Sequence, residues 1–269
     1  MAEQTSAEGN GGAVGAAAAG LSGAVVNLDG SVEASLGTDG ATGTSIGDST
    51  HRAASVTVSA TSANSATSQA FAATGGIGLA FTGADAEATT ATLVSALADA
   101  ATIYATGAVD VSGAAAGSAS SSATGYAIAG VLAAGGSVAL ANVGDQVSTH
   151  IFDHSLIDAG SIDLAAAIDP NTANPVVSAS ANGSSGAMVG LTATEAQAVN
   201  TSSANTLAEG STLAAAHLVK VEANTATAQN AYADGNAGGL LAAGSNTAQA
   251  NSAVTTTARL SDMVSVAGG

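Results

Sequence analysis

The chain has 269 residues, 46% of them hydrophobic but only 2% aromatic, with 34 Gly, 2 Pro, no Cys and no Trp. Against 20 Asp and Glu stand 3 Lys and Arg, a formal net charge of -17. These figures exclude disulfide staples and thiolate chemistry, a binder drawn to nucleic acid or anionic membrane by charge, and a core of large side chains.

Much of the apolar fraction is Ala. A chain of Ala, Gly, Ser, Thr and Val can fold if its backbone ladder is continuous and its interior is narrow enough for methyl groups to fill. That describes a slender β-solenoid better than a sphere. Disorder is opposed by the positive mean hydropathy of +0.37 and by apolar residues that alternate in phase with a long repeat. Helix is opposed by the Gly, Ser, Thr and Val around the Ala residues and by the scarcity of Glu/Lys pairs.

In chain order, Met1 to Gly12 is polar and Gly-ended and reads as a disordered leader, with a single solenoid segment over 13–269. Met1 to Ser6 carries no basic n-region and no apolar h-region, so export would make this chain a piece of a longer rod. Apolar Gly/Ala strands then recur at Val14, Ile77, Ile128, Met188 and Leu240, the last four separated by about 51, 60 and 52 residues. None of the apolar windows, Ala13 to Val26 or Ala127 to Ala134, has the roughly 20 strongly apolar residues of a membrane helix. Each is followed by alternating material such as Ala84-Asp85-Ala86-Glu87-Ala88, the period of a half-buried strand. Turn chemistry comes next, at Gly37-Thr38-Asp39-Gly40, Leu97-Ala98-Asp99-Ala100, Phe152-Asp153-His154-Ser155 and Ala208-Glu209-Gly210-Ser211.

Each turn leads to a triplet strand: Val56-Thr57-Val58, Val109-Asp110-Val111, Ile162-Asp163-Leu164 and Val219-Lys220-Val221, at steps of about 53, 53 and 57 residues. The flanking pair stays apolar while the middle residue changes charge, so the triplet reads as an interior spine with ordinary surface outside. The third unit is longer and holds both prolines, Pro170 and Pro175, which predicts a loop bulging from a corner. A period near 53 residues predicts two solenoid turns of about 25 residues per repeat, hence about ten turns and a rod of about 50 Å.

The cycle of Gly/Ala-rich strand, alternating Ala-x-Ala-x, Gly/Asp turn and Ala-Gly-x-Val-x-Val, as in Asp158-Ala159-Gly160-Ser161-Ile162-Asp163-Leu164, resembles a known repeat region. It is that of giant bacterial exoproteins, the filamentous-haemagglutinin-like, two-partner-secreted adhesins. The likeness covers roughly Gly11 to Gly269. It implies an all-β, right-handed parallel β-helix of degenerate repeats, acting as a stalk or adhesive fibre that is extracellular or on the bacterial cell surface. It further implies partners among host, neighbouring-cell or matrix carbohydrate and protein, and in the continuation of the same polypeptide, with no nucleic acid and no membrane span. The family's secretion and tip domains have no counterpart in these residues, so receptor specificity does not carry over.

No catalytic, cofactor or metal site emerges. His150 and His154 flank Asp153, but Ile151 stands where the H-E-x-x-H motif needs Glu. The turn residues Asp39, Asp99, Asp153 and Glu209 could stack into an acidic line with weak Ca²⁺ affinity. A polysaccharide lyase would need clustered bases, and Arg52, Lys220 and Arg259 read as alone; a hydrolase would need grouped carboxylates and more aromatic platforms than Tyr104, Tyr126 and Tyr232. An ice-binding or carbohydrate-binding solenoid is the other alternative, the former requiring ranks of outward Thr in register.

Overall fold

The computed structural model describes residues 2–37, 43–168, 176–261 and 263–268. The chain is all-β, and among the described residues every strand pairing is parallel. Coil one comprises β1 (Ala2–Leu36) and β2 (Ser45–Ile46). Coil two comprises β3 (Val56–Asp99) and β4 (Thr102–Tyr104). Coil three runs through β5 (Ala108–Ala115), β6 (Ser118–Ala129), β7 (Leu132–Val143) and β8 (Gln146–Phe152), and β9 (Leu156–Ile168) ends it and opens the next. Coil four holds β10 (Val177–Gly186), β11 (Val189–Asn200), β12 (Ser203–Ala208) and the start of β13 (Thr212–Thr225). Coil five holds β14 (Gln229–Gly238), β15 (Leu241–Ser252), β16 (Thr255–Leu260) and β17 (Ser265–Gly268).

One repeat is one coil. Gly9 pairs with Ala70, Ala70 with Ala123, Ala123 with Ala181 and Ala181 with Ala233, a ladder five strands deep whose offsets are 61, 53, 58 and 52 residues. The expected two turns per repeat is therefore corrected. At about 4.8 Å per coil the described stack rises about 20–25 Å, half the rod foreseen. The physical reason is the shape of the coil. In coil three, β5 and β6 run out along one wall and β7 and β8 return along the other, so the perimeter is long and the interior stays thin.

The polar leader is corrected too: Ala2 to Gly12 is the first part of β1, paired with Ala63 to Ala73 of β3. Backbone amides extend a ladder whatever side chains they carry, and Ala7 turns inward against the small-residue core. The longer third unit fits the register. The offset is 53 at Ala115 and Ile168 but 58 at Ala119 and Val177, so five extra residues fall between Ile168 and Val177. The Pro170 to Pro175 loop itself lies outside the described residues, as does the turn residue Asp39.

The interior tapers. Where β5, β8 and β9 meet, Val109, Val111, Ile151, Ile157, Ile162 and Leu164 are fully buried. Between β6 and β7 the buried residues are mostly small, Ala119, Ala123, Ala139 and Ala141 with Ser121, Ser137 and glycines among them. Nearer the turn joining those two strands only Ala80, Ala127 and Ala133 form a core. Inward Ser and Thr bridge the walls there: Thr82 donates to the Tyr126 carbonyl at 2.9 Å, Ser137 to Asn182 at 2.6 Å and Thr192 to Asn236 at 3.1 Å. A buried hydroxyl without a partner would be costly, and a facing carbonyl a few ångströms away supplies one.

Candidate functional site

The triplets align as foreseen. Val56, Val109, Ile162 and Val219 share one column and Val58, Val111, Leu164 and Val221 another, with Val109, Val111, Ile162 and Leu164 buried in the wide core. Between them on the outside lies the column Thr57, Asp110, Asp163, Lys220. Lys220 Nζ donates to Glu222 Oε1 at 2.5 Å and lies 3.8 Å from Asp163 Oδ2. Partial burial, and then the neighbouring Glu222 and Asp110, push the Asp163 carboxyl up against the opposing pull of Lys220. The hydrogen bond from Lys220 holds Glu222 below the usual carboxylate range. The charge change from Asp to Lys along this column thus offsets carboxylate repulsion from coil to coil.

The described turn carboxylates, Asp99, Asp153 and Glu209, do not stack. Asp99 pairs with Phe152, and Glu209 donates its amide to the Ile151 carbonyl at 2.9 Å, which puts Glu209 above Phe152 while Asp153 stands one position further on. A Phe therefore interrupts the acidic line. Asp153 and His154 adopt positive φ of 53° and 62° and make the turn, so His154 leaves the strand that carries His150. His150 contacts Ser148 Oγ at 3.1 Å and Asn205 Nδ2 at 3.3 Å and meets the Phe152 ring edge-on; burial lowers its pKa. Among the described residues no three His, Asp or Glu are grouped to hold a metal ion.

Arg52 is not alone. Its guanidinium makes a two-pronged pair with Asp158, Nη1 to Oδ1 at 3.0 Å and Nη2 to Oδ2 at 2.5 Å, and donates to the Ala105 carbonyl at 3.1 Å. It also lies over the Tyr104 ring, 5.7 Å from its centre. One side chain thereby clasps three successive coils. The preceding excursion is built by Asp48, whose Oδ1 accepts from the Thr50 amide, the Thr50 hydroxyl and the His51 amide, each at 2.7 Å. Those bonds, the Thr50 hydroxyl first, hold the Asp48 carboxyl at a pKa of about 2.

Midway along each wall the strands break and polar groups meet inside. Asp145, fully buried, accepts from the Thr92 amide at 3.1 Å, and Asn64 donates to the Thr92 hydroxyl at 2.8 Å. The Asp145 carboxylate reaches across to Gly117, where a Cβ would overlap it. Burial pushes its pKa up despite these bonds.

On the outer face a groove of about 650 Å³ crosses all five coils. Its floor is the in-register column Gly83, Gly136, Ala193, Ser245, with Leu21 folded over Gly83 at one end. Its flank is the column Gly23, Asp85, Val138, Glu195, Thr247, a mixture and not the rank of Thr that ice binding requires. The groove and the three-coil arginine clasp were missed in the sequence. The clasp carried a signal, since 52, 105 and 158 are spaced by the 53-residue period.

The fold and these surfaces define a parallel β-solenoid. No protein family, curated protein or solved structure matches the chain. Among the described residues no helix is long and apolar enough to cross a membrane.

Proposed function

We propose that this chain is a structural and adhesive segment of a large bacterial adhesin, secreted or held at the cell surface, in which stacked coils form a stalk or fibre. The observation that carries the reading is the ladder. Each coil joins the next around nearly its whole perimeter, at offsets between 52 and 62 residues, so the assembly extends by addition of coils without change of design. Load along the axis is then shared by many parallel backbone hydrogen bonds. The backbone path is repeated at each level while the outward residues vary, which suits attachment along a fibre better than a single catalytic cleft.

The contact proposed is with carbohydrate or protein of a host cell, a neighbouring cell or the matrix, and the outer groove across five coils is where an extended polymer would lie. Beads coated with the chain are expected to be retained on a panel of glycans and matrix proteins, and antibody to it is expected to label intact cells of the organism that encodes it. Failure of both sinks the reading. Incubation with the same polysaccharides is expected to release no new reducing ends or unsaturated uronates; their appearance would replace the adhesin with an enzyme.

A further inference from the structure

The turn that joins the two walls at the narrow end of the solenoid carries exposed large aliphatic side chains on every coil. Val14 is 92% exposed in coil one, Ile77 83% in coil two, Ile128 66% and Val131 51% in coil three, Met188 53% in coil four and Leu240 85% in coil five. Val131, Met188 and Leu240 fall in one column, since their successors Leu132, Val189 and Leu241 pair in register. The Gly130 amide donates to the Ile77 carbonyl at 3.1 Å, which seats Ile77 one position before that column. Val131, Met188 and Leu240 thus form a continuous apolar row over coils three to five. Val14 and Ile128 fall in a second column, Ile128 three positions before Val131, with Gly75 between them, so the apolar edge follows the solenoid axis as a ridge two columns wide.

The ridge lies in a part of the surface almost free of charge. Residues 9–22, 70–84, 123–137, 181–194 and 233–246, the narrow ends of the five coils, contain a single charged residue, Asp234, although the chain carries 20 carboxylates. At the wide end, where Asp110, Asp158 and Asp163 lie, a second copy would bring carboxylate against carboxylate. At the narrow end it would not, and the carboxylates of the two wide ends would lie well beyond the roughly 8 Å over which physiological salt lets charges act. The neighbouring wall at 112–123 is also free of charge but turns Ser118, Ser120 and Ser122 outward where the narrow end has large aliphatics.

We propose that the narrow edge is a self-association surface, where two copies lie side by side, ridge against ridge. A second copy is the partner that offers the same row, Val131, Met188 and Leu240 at a spacing of about 4.8 Å, so the two rows can interdigitate as stacked side chains do in a dry interface. The contact is the same patch on both copies and closes as a two-fold dimer. With about 100 Å² of apolar surface on each of five or six exposed side chains, each copy offers roughly 500–600 Å². That is short of the roughly 800 Å² per partner of a stable complex. The dimer of this five-coil chain is accordingly weak and reversible, and its strength grows with the number of coils. This goes beyond the adhesin reading and does not depend on it: lateral pairing can hold where adhesion fails.

Sedimentation velocity of the 269-residue chain, from micromolar to millimolar concentration, tests it. The sedimentation coefficient is expected to climb with concentration from monomer to dimer. The double variant Ile77→Asp with Met188→Asp is expected to stay monomeric, at least tenfold weaker in association, with an unchanged far-ultraviolet circular dichroism spectrum because both side chains are exposed. Should it fold poorly, Ile77→Ser with Met188→Ser serves in its place. Thr57→Asp, at the wide end, is expected to dimerise like the parent. A parent that is monomeric throughout, or a folded ridge variant that still dimerises, overturns the proposal. So does a parent that stays monomeric yet floats with neutral phosphatidylcholine vesicles, which would make lipid the occupant.

Discussion

Asp145 and Gly117 form a pair that neither residue explains alone. The carboxylate is fully buried and lies where a Cβ on Gly117 would be. Gly117→Ala is expected to destabilise the fold by about 1–3 kcal/mol, the usual cost of forcing atoms into a filled interior. Asp145→Ala in that background should recover much of the loss, which a double-mutant cycle from denaturant melts would register as coupling. Additive effects would show that the two do not touch. The same carboxyl has a pH signature. Its pKa is raised, chiefly by burial, above the ordinary 3.8, so the native state holds the proton more tightly than the unfolded chain. Stability from this group is full below 3.8 and is lost as pH rises from there through the raised value. Melting temperatures are expected to fall as pH rises from 3.8, and Asp145→Asn to flatten that fall. A variant with the parent's slope would locate the pH dependence elsewhere.

At the scale of the strand pair, the walls converge because the residues between them shrink. Leu164 and Ile151 fill the wide end, whereas Ala123 and Ala139 leave room for little more than methyl groups. Leu164→Ala should therefore cost about 2–5 kcal/mol through the cavity it opens. Ala123→Leu should be costly for the opposite reason, since both walls are held by ladders and by bridges such as Thr82 to Tyr126 and cannot part locally. Urea melts at equal protein concentration measure both; an Ala123→Leu chain as stable as the parent would mean that the walls yield. This taper bears on what could be read beforehand. The triplet columns were legible because β-branched residues at one parity and a constant step leave one register in which all of them face inward. The number of turns per repeat was not, because a 53-residue period is compatible with two compact turns or one flattened coil. Only the facing of Ala-lined walls distinguishes them. Arg52 and Asp158 could have been paired from the period alone. Asp145 and Gly117 could not, since they are 28 residues apart within one coil and meet only because both walls break at the same place.

Across the whole molecule the dominant fact is an unbalanced charge on a thin body. Three Lys and Arg face 20 Asp and Glu, so at most a few carboxylates can be paired, and Arg52 with Asp158 and Lys220 with Glu222 and Asp163 already occupy two of the bases. Stacking sets carboxylates of neighbouring coils one above another, as Asp110 and Asp163 are, about 4.8 Å from coil to coil. Repulsion at that distance is inside the roughly 10 Å screening length of 0.1 M salt and is weakened further as salt is added. The ion pairs are weakened too, yet they are partly exposed and few, so their loss is the smaller effect. Net stability is therefore expected to rise with ionic strength, by a few degrees in melting temperature between low salt and several times the physiological level. Dilute samples keep ridge-to-ridge pairing from contributing. Chloride salts of sodium and potassium should act alike, since screening depends on concentration and valence. A melting temperature that falls as salt is added would mean that the Arg52 clasp across three coils holds more of the fold together than carboxylate repulsion drives apart. Arg52→Ala would then be expected to abolish that fall.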